Sequence, residues 1–143
     1  MGSKSLMAMV AGAVTAFVAG FLCYGLALAG FMQANVGTAM GVMKEPPDFA
    51  FLGLAQFFFA GLLVWLFGRM GVTGFGAGAQ AGAIIGFLMA AFVDFIMYAT
   101  TNVSNLTVTI VDPFVMAVIG LVTGGVVAAV LGKAGAASGG GAA

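Results

Sequence analysis

Asp94 sits where a carboxylate is costly. The stretch around it, residues 76–99, is otherwise almost entirely Ala, Gly, Phe, Ile, Leu and Met. A charge at the centre of a bilayer-spanning helix costs about 2.5–3.5 kcal/mol on insertion scales and more in simulations, so such a residue faces a protein partner or a wet cavity. On a helix Tyr98, four residues on, shares its face. Asp94 should lie about 6–9 Å inside the outer end of its helix, at ~1.5 Å per residue. The connection that follows, residues 100–109, is dense in hydroxyls and amides and leads to Asp112-Pro113. Aspartate is favoured at a helix N-cap and proline at the first helical position, so Asp112 is expected to open the last helix. The short connection then gathers Asp94, Tyr98, Thr101, Asn102, Asn105 and Asp112 into one polar cluster. Two chemistries fit Asp94. It can be a structural acceptor, bonded to the 100–110 connection or to Tyr24. Or it can carry a proton or bind a cation through oxygen ligands. The spacing does not specify a metal site.

The elements that must position these groups are membrane helices. Hydrophobic residues make up 63% of the 143-residue chain and charged residues 6%, against about 25% charged in a soluble domain. Four stretches reach the roughly 20 residues needed to cross a bilayer: residues 6–32, 49–68, 76–99 and 113–131. The expected architecture is an all-α bundle of four transmembrane helices over residues 1–133, followed by a flexible Gly/Ala/Ser tail at 134–143. The apolar core of the first stretch is longer than a signal peptide's, which favours a retained helix. Four spans put both termini on one side together with Lys4, Arg69 and Lys133. Lys44, on the other side, has Glu45 and Asp48 nearby. The bias of basic residues toward the cytoplasm therefore predicts cytoplasmic termini.

Small residues recur every four positions: Ala8, Gly12, Ala16 and Gly20 in the first span; Gly78, Gly82, Gly86 and Ala90 in the third; Gly120, Gly124 and Ala128 in the fourth. Close backbone approach is what holds helices together in lipid. Gly12, Gly20, Gly78, Gly82, Gly86, Gly120 and Gly124 are thus the expected packing positions. The second span is rich in Phe and is expected to face mostly lipid. Asp48 should cap it, and Trp65 fits an interfacial aromatic belt.

Tyr98, Thr101, Asn102 and Leu106, then Val111-Asp112 and a glycine-rich helix, resemble the end of small bacterial membrane proteins grouped as the domains of unknown function DUF2177 and DUF1761. The segment 17–25, Phe-Val-Ala-Gly-Phe-Leu-Cys-Tyr-Gly, is similar to the first helix of the DUF1761 group. Cys23 stands where that group favours tryptophan. The resemblance implies a four-helix protein of the bacterial inner membrane and supplies no activity.

The sequence holds no histidine and one cysteine. It offers no nucleophile beside a base, so an enzyme is not expected, nor a cofactor or a metal centre. A net charge of zero gives no electrostatic footprint for nucleic acid. The leading expectation is a non-enzymatic integral membrane protein that works by helix association, as an accessory or assembly subunit of a larger membrane complex or as a homo-oligomer. Its partners would be the lipid bilayer and other membrane subunits, or itself. The alternative is a small transporter or channel that uses Asp94.

Overall fold

The computed structural model describes residues 2–139, with side chains through residue 132. The described residues form the helices α1 (Ser3–Gly20), a π-helical segment (Phe21–Ala27), α2 (Ala29–Ala34), α3 (Phe49–Met70), α4 (Phe75–Thr100) and α5 (Leu106–Gly139). Four helical stretches are long and apolar enough to cross a membrane: Ser3–Ala27, Phe49–Met70, Phe75–Thr100 and Leu106–Gly132.

α4 and α5 pack antiparallel along their glycines. A Cβ at Gly82 would run into the Gly120 carbonyl, one at Gly78 into the Gly124 carbonyl, and one at Gly86 into the Met116 carbonyl. Only glycine lets the two backbones lie this close. Each four-residue step forward along α4 is a four-residue step back along α5. The buried row Gly78, Gly82, Gly86 and Ala90 therefore faces α5, and Asp94 lies one turn further along the same row.

α1 lies on α5 and α3. Its buried row is Ala8, Gly12 and Ala16. A Cβ on Gly12 would meet Val127 Cγ2 at 2.6 Å and Ala60 Cβ at 3.0 Å, so this glycine sits where three helices converge. Gly20 does not pack: nothing lies within 4 Å of where its Cβ would be. The α-helical winding ends at Gly20. α4 packs extensively against α5 alone, so the bundle is open on that flank.

α3 also departs from expectation. Phe49, Phe51, Phe58 and Trp65 are exposed, as a lipid-facing helix requires, but Phe59, Leu63, Val64 and Phe67 are buried in the core. The smooth Ala–Gly–Ala face of α1 supplies little volume, and the large side chains of α3 fill what it leaves. Asp48 caps α3, its Oδ1 accepting from the Ala50 and Phe51 amides at 3.2 and 3.4 Å. At the other end Gly71, at φ 67°, closes the helix in the left-handed region, and Arg69 lies 5.8 Å over the Trp65 ring.

α5 starts earlier than expected. Asn105, not Asp112, caps it: its Oδ1 accepts from the Val108 amide at 3.0 Å. Pro113 lies inside the helix. Asp112-Pro113 has the composition of a helix start, but a proline removes only one intrahelical hydrogen bond. Starting the helix at Pro113 would leave the amides and carbonyls of a whole preceding segment to be satisfied near lipid. α5 also continues through Gly139, into the region expected to be a flexible tail. The rest of that tail, 140–143, lies outside the described residues.

Candidate functional site

The end of the bundle opposite the N-terminus carries the connections 35–48 and 101–105, which are fastened to each other. The Gly37 and Ala39 amides donate to the Val103 and Asn102 carbonyls at 2.9 and 3.0 Å, and the Asn105 amide donates to the Asn35 carbonyl at 3.4 Å. Asn105 Nδ2 donates to Asn35 Oδ1 at 3.2 Å. Gly37 is needed there, since a Cβ would strike the Asn102 carbonyl. One asparagine thus caps α5 and fixes the neighbouring loop.

Beneath these loops, two carboxyl groups and a phenol meet. Asp94 comes from the α5-facing row of α4. Asp112 comes from the interior of α5, where the antiparallel register sets it opposite Ala90. The small Ala90 leaves space for it. The two carboxyl groups lie within hydrogen-bonding reach of each other. The Tyr24 hydroxyl, from the π-helical segment that follows α1, donates to Asp112 Oδ1 at 2.7 Å. Asp94 Oδ2 is closed to solvent and has no hydrogen-bond partner.

The π winding accompanies the position of Tyr24. The Leu28 amide reaches back five residues to the Cys23 carbonyl at 2.8 Å, and the segment breaks at Leu28. π turns inside α-helices recur at functional sites. Tyr24 lies at the continuation of the Ala8–Gly12–Ala16 row, and it packs against the core with Cys23 and Leu28. Its place in that row pointed toward the bundle interior. Nothing in the sequence marked a change of winding.

The cluster expected around Asp94 forms only in part. Asp94 and Asp112 come together. Tyr98 is exposed. The Thr101 hydroxyl turns back to the Met97 carbonyl at 2.7 Å. The Asn102 side chain is exposed, and its carbonyl serves the loop. Asn105 serves as cap and clamp. Asp112 is not an N-cap but a mid-helix partner. Asp94 does not bond the 100–110 connection, and the Tyr24 hydroxyl goes to Asp112 instead. Among the described residues, Thr123 Oγ1 is the other buried side-chain oxygen without a partner. It lies about three turns away along α5 and belongs to a different part of the interior.

Chemically, the site offers two carboxyl groups within hydrogen-bonding reach of each other, one hydroxyl donor held on one of them, and one carboxyl oxygen that receives nothing. Such a pair can share and release a proton or exchange a small cation. It has no nucleophile, base and electrophile arranged around a reacting atom. No family model, curated protein or solved structure matches the chain.

Proposed function

We propose that this chain is a non-enzymatic integral membrane protein that takes up and releases a small ion at the Asp94–Asp112 pair, as a small transporter or channel component. One observation carries this reading. Two acidic side chains from adjacent apolar helices face each other, and one presents a buried oxygen with no partner. Each charge placed within a span costs about 2.5–3.5 kcal/mol or more. Packing does not call for them, because the Gly and Ala rows hold α4 and α5 together without either acid. Reconstituted into vesicles, the purified chain should give saturable movement of protons or alkali cations. That movement should fall at least tenfold in Asp94→Asn, which keeps the shape and removes the charge. Equal flux from both proteins would remove the pair from the function.

A second reading rests on the open flank of α4. Ile84, Leu88 and Phe92 are exposed along a helix that packs on α5 alone. This suits association with another membrane subunit, as an accessory or assembly factor, or with a second copy of the chain that completes an ion path. The mass of the particle extracted in mild detergent distinguishes a lone chain from a complex.

The Ala- and Gly-rich composition favours the bacterial inner membrane, and Lys4, Arg69 and Lys133 favour cytoplasmic termini. The carboxyl pair would then lie toward the periplasmic face. Reporter fusions at Gly2 and Ala143 should both report the cytoplasm, and periplasmic activity from either would reverse the orientation.

A further inference from the structure

We propose that the ion at this site is a proton, that the pair holds one proton carried on Asp94 and donated to Asp112, and that Tyr24 is the positioning residue that keeps Asp112 as acceptor. This rests on the ion-handling reading above and names its substrate.

The donor set comes first. Calcium takes about six to eight oxygen ligands, and magnesium needs a near-octahedral shell. Among the described residues, no group of three or more Asp, Glu, His or Cys side chains could hold a metal ion. The third polar group at the pair, Tyr24, points its hydrogen at Asp112 Oδ1, so it presents a donor where a cation wants a lone pair. Geometry comes second. The carboxyls lie within hydrogen-bonding reach of one another, as sharing a single hydrogen requires. Two carboxylates that close repel each other, so the pair keeps one shared proton until rising pH removes it.

The asymmetry of the pair then says which acid carries the hydrogen. An ionised carboxylate is an acceptor only. Asp112 already accepts from Tyr24 at 2.7 Å, so a negative charge on it is met by a donor. Asp94 Oδ2 accepts from nothing and is closed to solvent, so a charge there would go unmet in an apolar setting. The hydrogen therefore belongs on Asp94, pointing to Asp112. The titratable groups that face one another here are Asp94 from α4, Asp112 from α5, and Tyr24 with Cys23 from the π-helical segment. Release breaks the Asp94 O–H bond and forms an O–H bond on a water molecule at the loop end. No electrons are transferred, and uptake is the reverse.

Infrared difference spectroscopy on the full chain in lipid vesicles, stepped in pH in H2O and D2O, reads the carboxylic-acid C=O band directly. The wild type should show one acid group per chain, isotope-sensitive and lost as pH rises. Asp94→Asn should abolish the band and Asp112→Asn should keep it. In Tyr24→Phe the band should keep its area but split into two components, as the hydrogen spreads over both carboxyls. A purely structural tyrosine would leave a single component, which would overturn its assigned role.

The wild type alone keeps the proposal falsifiable should a variant fail to fold. Titration with sodium, potassium, magnesium and calcium chlorides at fixed pH and ionic strength should leave the band unchanged. Saturable loss of the band with one cation, accompanied by flux of that cation, would overturn the proton while sparing the ion-handling reading. A band unresponsive to pH and to salt, with no flux, would overturn both.

Discussion

Gly82→Leu should leave no folded protein to purify, while Phe58→Leu should behave as the wild type. The two substitutions install the same side chain in two membrane helices, and only the surroundings differ. The Cβ of any residue at 82 would run into the Gly120 carbonyl and would stand 2.8 Å from the Gly124 Cα. Both obstacles are backbone, so no rotamer change relieves them, and the two helices must separate along the interface. Because helix association in lipid depends on close packing, separating them removes most of what holds α4 in place. α4 makes extensive contact with no other helix, so nothing else retains it. Overpacking in a compliant core costs about 1–3 kcal/mol, and two backbone obstacles on α5 should exceed that. Phe58 is 68% exposed, and leucine there trades one lipid-facing apolar side chain for another. Thermal unfolding in mild detergent should show a stable Phe58→Leu protein and an aggregated or absent Gly82→Leu protein. Equal melting of the two would mean that α4 and α5 do not meet along this row.

The same comparison shows what could be read directly from the sequence. Gly78, Gly82, Gly86 and Ala90 recur every four residues, one face of a helix, and that row is the interface. Because Asp94 continues the row, its direction toward α5 followed from spacing alone. Where the reading failed, a local signal was outweighed by a longer-range one. Asp112-Pro113 looks like a helix start because aspartate caps and proline opens helices. In the folded chain Asn105 caps the helix seven residues before the expected cap Asp112, Leu106 opens α5, and the proline is absorbed. Gly20 fits the periodicity of α1, but packing requires a neighbour as well as a small residue, and no side chain or backbone comes near it. Phe59, Leu63 and Phe67 resemble their lipid-facing neighbours in type. They are buried because α1 presents Ala8, Gly12 and Ala16 and leaves volume to fill. The link from Tyr24 to Asp112 spans 88 residues and depends on a π-helical segment that no residue pattern announced.

Moving Asp112 from a helix end to a helix-helix contact also changes what its substitution should do. As an N-cap it could become asparagine with little effect, since asparagine caps about as well. In the folded chain Asp112→Asn and Asp112→Ala should differ from each other and from that expectation. The amide of Asp112→Asn still offers an oxygen to the Tyr24 hydroxyl, so the contact between α1 and α5 survives and the melting temperature should hardly move. The amide carries no negative charge to hold the Asp94 proton, however, and ion movement in vesicles should drop at least tenfold. Asp112→Ala removes both functions. The Tyr24 hydroxyl and the Asp94 carboxyl lose their partner together. An interhelical hydrogen bond of this kind is worth about 0.6–2 kcal/mol, and the stranded polar groups add to that loss, so this variant should melt lower as well as fail to move ions. Stability should therefore follow the order wild type, Asp112→Asn, Asp112→Ala, with the first two close together, while flux should separate the wild type from both variants. If Asp112→Asn kept full flux, the carboxyl pair would be a structural contact between α4 and α5, and association through the open flank of α4 would become the better account of the protein.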